Sequence, residues 1–475
     1  MEKKDLSFFL NPKSVAVVGA STRSGTWGNR IAAGLAKSGY PGRLYLVNPS
    51  TKELLGLPCY AGLDDVPEDV ELAVMTIPAE LLWQALESCA RKGVKGVVII
   101  SSGLGEADSQ GKRTEQEMAA FARSKNIRII GPNVSGIYNL HADFFATGGN
   151  YSRMKSSQMS FLSQGGFAVH NIISRAYPMG IGVGKFLHTG NEADLQCTDF
   201  LDLLGEDPET NAILMYIEGI KDPRHFIRLA RRIVSQKPIV VYKGGKSQAG
   251  NRAAASHTGA LAGSFQIYEG FFRQARCIQA SRFDTILELG KALTSFPPLK
   301  GSRIGIVTEG GSWGVMLTDC LSRHGFTVPE FSSPLQETLR DLGMPTRAST
   351  KNPLDTGAGR GTLSVQNRVS LIDALICSDE VDALIIHGYA SIDLDSERTP
   401  DWLVEFQRHE EEVLRRAVPL MSQYEKPMLF CSNASPFEST TFRNLVQDEI
   451  QVFTRLEDVV DALSAMRLYQ QYRCS

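Results

Sequence analysis

Short runs of residues that are apolar nearly throughout recur along the whole chain, and amphipathic stretches separate them. Strands that are apolar on both faces belong to parallel sheets, because the helices of the connecting crossovers cover both sides of such a sheet. The alternation therefore predicts an α/β fold built on parallel sheets. The predicted strands lie within residues 14–21, 43–49, 71–78, 93–103, 126–133, 159–164, 213–219, 238–245, 303–311, 381–390 and 426–432.

Two stretches between these strands have the composition of linkers. GGNYSRMKSS (148–157) is rich in Gly, Ser and Asn, and PPLKGSR (297–303) begins with two prolines. A chain of 475 residues is long enough for about three domains at roughly 100–200 residues each. We therefore predict three consecutive α/β domains at 1–147, 148–298 and 299–475.

Composition and charge argue against several classes of protein. With 50 basic and 52 acidic residues the formal net charge is −2, so electrostatics favour neither nucleic acid nor an acidic membrane surface as a partner. The eight cysteines are scattered without a CxxC spacing, which favours reducing conditions over a disulfide framework or a zinc site. No apolar run is long enough for a signal peptide or a bilayer span. We expect a cytoplasmic protein without a metal site on this chain.

The first glycine-rich turn, VVGASTRSGTWG (17–28), lies between a predicted strand and a predicted helix that ends at Gly39. Backbone N–H groups at a helix N-terminus favour anions, so the turn suits a phosphate-bearing ligand. Ser21 replaces the second glycine of GxGxxG, and the next strand ends in Asn48-Pro49 instead of an acid for a ribose. A nucleotide-bearing ligand is therefore predicted and NAD is disfavoured. The alternatives are a turn that only packs and an NAD-dependent oxidoreductase.

Three further loops follow predicted strands at their carboxyl ends: TIPAE (76–80), SSGLGE (101–106) and GPNVSG (131–136). In open α/β sheets this edge carries the ligand. Pro78 offers a rigid wall, and Asn133 offers an amide for hydrogen bonding. The loops therefore predict a ligand site at the carboxyl edge of the first sheet.

The segment AAASHTGALAG (253–263) places His257 among very small side chains. Small neighbours allow a loop to approach another backbone closely or to move. A neutral imidazole with a free pKa of ~6.5 is a good nucleophile, and the chain has no HExxH motif. His257 is therefore a candidate nucleophile. The alternative is an ordinary loop histidine on the surface.

A phosphorylated histidine needs surroundings that stabilise an anion, and two strand-to-helix junctions with bare glycines offer them: SQGGFAVHNIISRAY (163–177) and TEGGSWGVMLTDCL (308–321). A carboxylate that orients the second imidazole nitrogen is also needed. Glu218, which closes a predicted strand, is the candidate, and an ordinary strand-end acid is the alternative. The candidate phosphate-binding residues are Ser163, Gln164, Gly165, Gly166, Gly310, Gly311 and Ser312.

Several of these motifs together resemble the α subunit of ADP-forming (NDP-forming) acyl-CoA synthetases and, more distantly, succinyl-CoA ligase. The resemblance extends from about residue 7 to 470, and SHTGALAG is its most specific part. It implies a Rossmann-like CoA-binding domain, a flavodoxin-like ligase domain with a phosphohistidine loop, and a second flavodoxin-like domain of the succinyl-CoA ligase type. The motifs are AAASHTGALAGS (253–264), GPNVSG (131–136), VVGAS (17–21), VNP (47–49), EDPETNAILMYIEGI (206–220) and NPLDTGAG (352–359).

The resemblance implies the reversible conversion of a carboxylic acid, CoA and ATP to acyl-CoA, ADP and phosphate. An acyl phosphate forms, its phosphoryl group passes to His257, and the loop carries the group to a nucleotide site. By position, Glu218 orients the histidine and the two glycine junctions hold the phosphate. The residues implied for CoA are Gly19, Ser21, Pro49, Pro78 and Asn133.

The chain departs from the family pattern in three places. Val134 stands where the family usually has cysteine, which changes no chemistry because CoA brings its own thiol. Gly165 replaces a common serine and leaves the backbone donors in place. No ATP-grasp module is present, so ATP, ADP and Mg are expected on a separate β subunit in an α2β2 assembly. The alternative is a CoA-binding regulatory or scaffold subunit that has kept the fold without turnover.

Overall fold

The computed structural model describes residues 5–149, 154–247, 249–250, 265–359, 362–395 and 397–474. These residues form three sheets, mostly of parallel strands, with helices on the connections. The strands are β1 (Ser14–Val18), β2 (Arg43–Val47), β3 (Glu53–Leu54), β4 (Leu57–Tyr60), β5 (Leu72–Met75), β6 (Gly96–Ile99), β7 (Arg128–Ile130), β8 (Gly136–Asn139), β9 (Phe144–Thr147), β10 (Met159–Ser163), β11 (Lys185–His188), β12 (Ala212–Ile217), β13 (Ile239–Lys243), β14 (Ile278–Gln279), β15 (Ile304–Thr308), β16 (Leu354–Asp355), β17 (Ala383–His387), β18 (Met428–Cys431) and β19 (Val452–Phe453). The α-helices are α1 (Trp27–Lys37), α2 (Leu82–Arg91), α3 (Ser109–Ser124), α4 (Phe167–Ala176), α5 (Cys197–Glu206), α6 (Pro223–Val234), α7 (Phe265–Gln274), α8 (Ile286–Ser295), α9 (Gly311–Arg323), α10 (Ser333–Asp341), α11 (Val365–Cys377), α12 (Asp401–Tyr424), α13 (Thr440–Gln447) and α14 (Leu456–Cys474).

The first sheet has the strand order β3-β4-β2-β1-β5-β6-β7, and only the β3–β4 pair is antiparallel. Strand β1 pairs with β2 on one side and β5 on the other, so the connections leave it in opposite directions. All five residues of β1 are buried, as the apolar run predicts. The carboxyl end of β1 is therefore the switch point at which open α/β sheets bind their ligands.

The second sheet has the order β14-β13-β12-β10-β11-β8-β9. The hairpin β8–β9 closes one side, and β8 pairs antiparallel with β11. This hairpin precedes the predicted domain boundary at 147, yet its partners are strands of the second sheet. The pairing makes β8 and β9 part of the scaffold that carries the strand ends around Ser163 and Glu218.

The third sheet, β16-β15-β17-β18-β19, is parallel throughout. By compactness the chain divides into two units. One contains residues 1–177 and 182–286, with the first two sheets, and the other contains residues 178–181 and 287–475, with the third. The three domain boundaries stay a prediction.

Every predicted strand overlaps an observed one, and the predicted α/β class is confirmed. Helix α6 shows how sequence sets local structure: Asp222 accepts a hydrogen bond from the His225 N–H at 2.9 Å, and Pro223 occupies the first turn. Phe226 and Ile233 lie on the buried face of this helix. No helix among the described residues has the length and apolar character needed to cross a bilayer.

Candidate functional site

A cavity of about 870 Å³ opens at the carboxyl edge of the first sheet. Four of the five residues predicted to bind CoA line this cavity: Gly19, Ser21, Pro49 and Pro78. Its size is that of a ligand pocket. The lining residues are Val18, Gly19, Ser21, Thr26, Trp27, Gly28, Val47, Asn48, Pro49, Ala61, Gly62, Leu63, Thr76, Ile77, Pro78, Leu81, Gln84, Ala85 and Ser88.

Close backbone packing shapes this cavity where β1 turns into α1. Gly19 has a φ of +95°, a left-handed conformation that favours glycine. A Cβ on Gly28 would overlap the carbonyl oxygen of Gly19, so the first turn of α1 lies directly against the loop. Thr26 caps the helix by accepting a hydrogen bond from the Asn29 N–H at 3.4 Å. The N-terminus of α1, with its positive dipole end, therefore lines the cavity.

The side chain of Asn48 stabilises the same turn. Its Nδ2 donates to the Ala20 carbonyl oxygen at 2.6 Å, and its Oδ1 accepts from the Ser50 N–H at 2.8 Å. An amide with both ends used in this way occupies the position where an NAD site has a carboxylate for the ribose. The geometry accordingly keeps NAD disfavoured.

Asn133 is not among the lining residues of this cavity. It has a φ of +62°, and its Nδ2 donates to Asn191 Oδ1 at 3.3 Å. Its backbone N–H donates to the Ser101 carbonyl oxygen at 2.9 Å. The role of Asn133 in holding CoA stays a prediction.

A second cluster lies at the carboxyl edge of the second sheet and joins Glu218 to the glycine junction after β10. A Cβ on Gly165 would lie 2.8 Å from Tyr216 Cε1 and 3.6 Å from Glu218 Oε1, so the absence of a side chain brings these groups together. The Tyr216 hydroxyl donates to Glu218 Oε1 at 3.2 Å. Burial and the charge of Glu218 both raise the pKa of Tyr216, which keeps the hydroxyl protonated as a donor.

The N-terminus of α4 is the other half of this cluster. Ser163 Oγ is engaged locally, because it accepts from the Gly165 N–H at 3.2 Å and donates to the Gly165 carbonyl oxygen. Among the described residues the N–H groups of Gly166, Phe167 and Ala168 have no acceptor. These donors, at the positive end of the α4 dipole, suit a phosphoryl group.

Buried polar side chains form a hydrogen-bonded network beneath the protein surface that reaches the backbone of this junction. His188 Nδ1 accepts from the Ser135 N–H at 2.7 Å, and its Nε2 lies 3.1 Å from the Gln164 carbonyl oxygen, to which it donates. Ser135 Oγ lies 2.9 Å from His170 Nε2, which is also 3.3 Å from Thr147 Oγ1. The segment around Gln164 therefore rests on a hydrogen-bonded network that includes two histidines.

His170 makes the stability of this region dependent on pH. Burial lowers its pKa to about 4, below the ~6.5 of an unfolded chain. The unfolded state therefore binds the proton more tightly, and stability present above pH ~6.5 is lost as the pH falls towards 4. We expect the loss between pH 7.5 and pH 5 to be about 2 kcal/mol smaller in His170→Gln, measured by urea titration. The exposed His225→Gln is the control, and equal losses in His170→Gln and wild type would contradict the assignment.

Sequence reasoning missed Tyr216 of the second cluster and Lys243 on the neighbouring strand β13. Lys243 is buried at the end of β13, with its Nζ 4.7 Å from the centre of the Tyr268 ring. Burial lowers its pKa. Lys243 could have been predicted from the run PIVVYKGG (238–245), because a lysine that closes an otherwise apolar strand lies at the carboxyl edge of a parallel sheet, where ligands bind.

His257 lies outside the described residues. Gly310, Gly311 and Ser312 belong to the second compact unit, at the start of α9 after β15. A Cβ on Gly311 would lie 3.2 Å from Asp355 Oδ2, so a carboxylate borders this helix start. A phosphate role for Gly310–Ser312 stays a prediction.

Two regions of the chain match known protein families. Residues 13–139 match the family described as CoA binding domain, and residues 156–293 match the succinyl-CoA ligase like flavodoxin domain. The fold and the cavity therefore define a CoA-binding α/β protein of the succinyl-CoA ligase type.

Individual relatives narrow this class. Acetate–CoA ligase (ADP-forming) II subunit alpha of Pyrococcus furiosus is 35% identical over 467 residues, which cover 98% of each chain. The solved structure of dinucleotide forming acetyl-coenzyme A synthetase 1 of Ca. Korarchaeum cryptofilum, in complex with phosphate and ADP, is 30% identical and has a TM-score of 0.86. That match covers 99% of this chain and 98% of the other.

Other relatives are longer, and the match covers 49% of acetate–CoA ligase (ADP-forming) I of Archaeoglobus fulgidus, at 38% identity over 72% of this chain. The chain belongs to the family of ADP-forming acyl-CoA synthetase α subunits, which confirms the resemblance seen in its motifs. The named relatives are acid–thiol ligases.

Proposed function

We propose that the chain is the catalytic α subunit of an ADP-forming acyl-CoA synthetase, which reversibly converts a carboxylic acid, CoA and ATP to acyl-CoA, ADP and phosphate. In the direction of synthesis, an imidazole nitrogen of His257 takes the γ-phosphoryl group of ATP and ADP leaves. The carboxylate substrate takes this group from the imidazole and becomes an acyl phosphate. The CoA thiol then attacks the acyl carbon, the bond to the phosphate oxygen breaks, and inorganic phosphate leaves with the proton that the thiol gives up.

The proposal rests on one observation: Glu218, Tyr216 and the start of α4 lie together at one edge of the second sheet. A carboxylate hydrogen-bonded to one imidazole nitrogen fixes the tautomer and stabilises the cation that forms as the other nitrogen reacts. The hydrogen bond from the Tyr216 hydroxyl holds Glu218 Oε1 for this task. The N–H groups at the start of α4, which have no acceptor in the described part of the chain, supply donors for the phosphoryl oxygens.

CoA is assigned to the cavity of the first sheet. The start of α1 faces the phosphates of CoA, while Pro49 and Pro78 form apolar walls. Gly19 and Ser21 lie in the turn over which these phosphates pass. The residues of this cavity belong to the same compact unit as Glu218, which supports the assignment.

Nucleotide binding is assigned to a second polypeptide. The described residues after 300 form a parallel sheet with helices, and the P. furiosus relative is named as a subunit. We propose an ATP-grasp β subunit that holds ATP or ADP with Mg, in an α2β2 assembly. In this proposal His257 carries the phosphoryl group between the two sites.

Glu218→Gln tests the proposal. The amide keeps the size of the side chain but does not stabilise an imidazolium, so phosphorylation of His257 should slow by about a hundredfold or more. The assay incubates the chain and its partner subunit with γ-labelled ATP and follows acid-labile label on the chain. Glu117→Gln, which changes an exposed acid on α3, should leave the rate unchanged.

CoA binding distinguishes a catalytic subunit from a regulatory one. Glu218→Gln should retain wild-type affinity for CoA in calorimetry, because the cavity of the first sheet does not include it. A wild-type assembly that binds CoA but never acquires label would instead identify a scaffold subunit that has lost turnover.

A further inference from the structure

The side chain of Gln164 connects the ends of two parallel strands. Its Oε1 accepts hydrogen bonds from the Glu218 N–H at 2.6 Å and the Gly219 N–H at 2.9 Å. Its Nε2 donates to the Gly219 carbonyl oxygen at 2.8 Å. The residue is only 6% exposed, so these bonds form away from solvent. The amide of Gln164 thus binds the backbone of Glu218–Gly219 as a neighbouring peptide group would.

This contact continues the sheet beyond its last regular pair. The register of β10 and β12 ends with Ser163 opposite Tyr216, and the Gln164 N–H still donates to the Tyr216 carbonyl oxygen at 3.1 Å. Beyond this point the side chain of Gln164 provides the pairing. Glu218 lies one residue past the end of β12, and the hydrogen bonds that Gln164 accepts from Glu218 and Gly219 fix its backbone there.

Gln164 itself is held in place. His188 Nε2 donates to its carbonyl oxygen at 3.1 Å, and burial keeps its side chain among polar groups of the same unit. Both acceptor directions of Oε1 are used by the N–H groups of Glu218 and Gly219. Nε2, the only atom of this side chain that could donate to a phosphate, donates to the Gly219 carbonyl oxygen and lies 3.9 Å from Cys197 Sγ. The Gly166 N–H, in contrast, has no acceptor among the described residues.

We propose that Gln164 is a positioning residue of phosphoryl transfer, which holds the backbone of Glu218 so that its carboxylate stays between Tyr216 and Gly165. It acts through Glu218 and does not contact the phosphoryl group. The inference rests on the proposed function, in which Glu218 orients His257. Gln164 is one of the candidate phosphate-binding residues of this junction, and the proposal gives its side chain a positioning role and leaves the phosphate to the N–H groups at the start of α4.

A double-mutant cycle between Gln164→Met and Glu218→Gln tests the inference in the complete assembly. Met matches the size of Gln but leaves two buried N–H groups without an acceptor, so kcat should fall about 10- to 100-fold through misplacement of Glu218. The KM for inorganic phosphate, measured in the direction of ATP synthesis, should not change. In the Glu218→Gln background the same substitution should have no further effect, since its target is already removed.

Multiplicative losses in the double variant, or a raised KM for phosphate, would overturn the positioning role. Gln164→Glu keeps an acceptor for both N–H groups and should recover part of the lost kcat. If circular dichroism shows that Gln164→Met does not fold, Gln164→Glu takes its place in the double-mutant cycle. A wild-type assembly without label at His257 would reject the proposed function, whereas a labelled one with multiplicative losses rejects only the role of Gln164.

Discussion

Replacing His257 by alanine is expected to abolish acyl-CoA formation by the assembled enzyme while leaving CoA binding close to wild type. The imidazole is the only group proposed to carry phosphorus between the two sites, and alanine has no nucleophile to replace it. The variant should also acquire no acid-labile label from γ-labelled ATP. Coupled turnover assays, label retention on the chain and calorimetric titration with CoA measure the three effects.

The exposed His225→Ala, at the start of α6, is the matched control and should retain both turnover and label. Turnover that survives in His257→Ala would show that phosphoryl transfer follows another route. Loss of CoA affinity in the same variant would show instead that the substitution disturbs the first compact unit as a whole.

Gly28→Ala is expected to lower the affinity for CoA at least about tenfold, or about 1.4 kcal/mol. The added Cβ would overlap the Gly19 carbonyl oxygen, so α1 must move away from the loop that lines the cavity. Alanine favours helix over glycine, and any weakening of the site therefore cannot come from helix propensity. Calorimetric titration with CoA, together with a thermal unfolding curve, measures the effect.

Gly270→Ala is the matched control for this substitution. It lies in α7 of the same unit, and a Cβ there meets nothing within 4 Å. It should bind CoA like wild type and be as stable or slightly more stable. Wild-type affinity in Gly28→Ala would mean that the start of α1 does not contact the phosphates of CoA.

The strands that the sequence predicts are those buried on both faces, such as β1, because continuous apolar runs record that burial directly. Strand β11 escapes prediction because Lys185 lies within it, buried against Asp207 and Glu209. Its strand character depends on partners far away in the chain. The short strands β3 and β4 are likewise defined by pairing and not by composition.

The candidate site likewise has residues that the sequence predicts and contacts that it does not. Gly19 and Gly165 could be found from local patterns, since glycine turns between strand and helix have a recognisable sequence. The hydrogen bond of Tyr216 to Glu218 and the contacts of Gln164 depend on which strand ends are neighbours in the sheet. Strand order is set by the whole fold, so no pattern in a single segment reports it.

The hairpin β8–β9 limits how such enzymes can be recombined. The match to the CoA binding domain ends at residue 139, between two strands that both belong to the second sheet. A chimaera spliced there would graft a foreign β8 next to the recipient's own β11 and β9. A splice ahead of Gly136 would instead transplant the CoA module and leave the recipient's β8–β9 hairpin native.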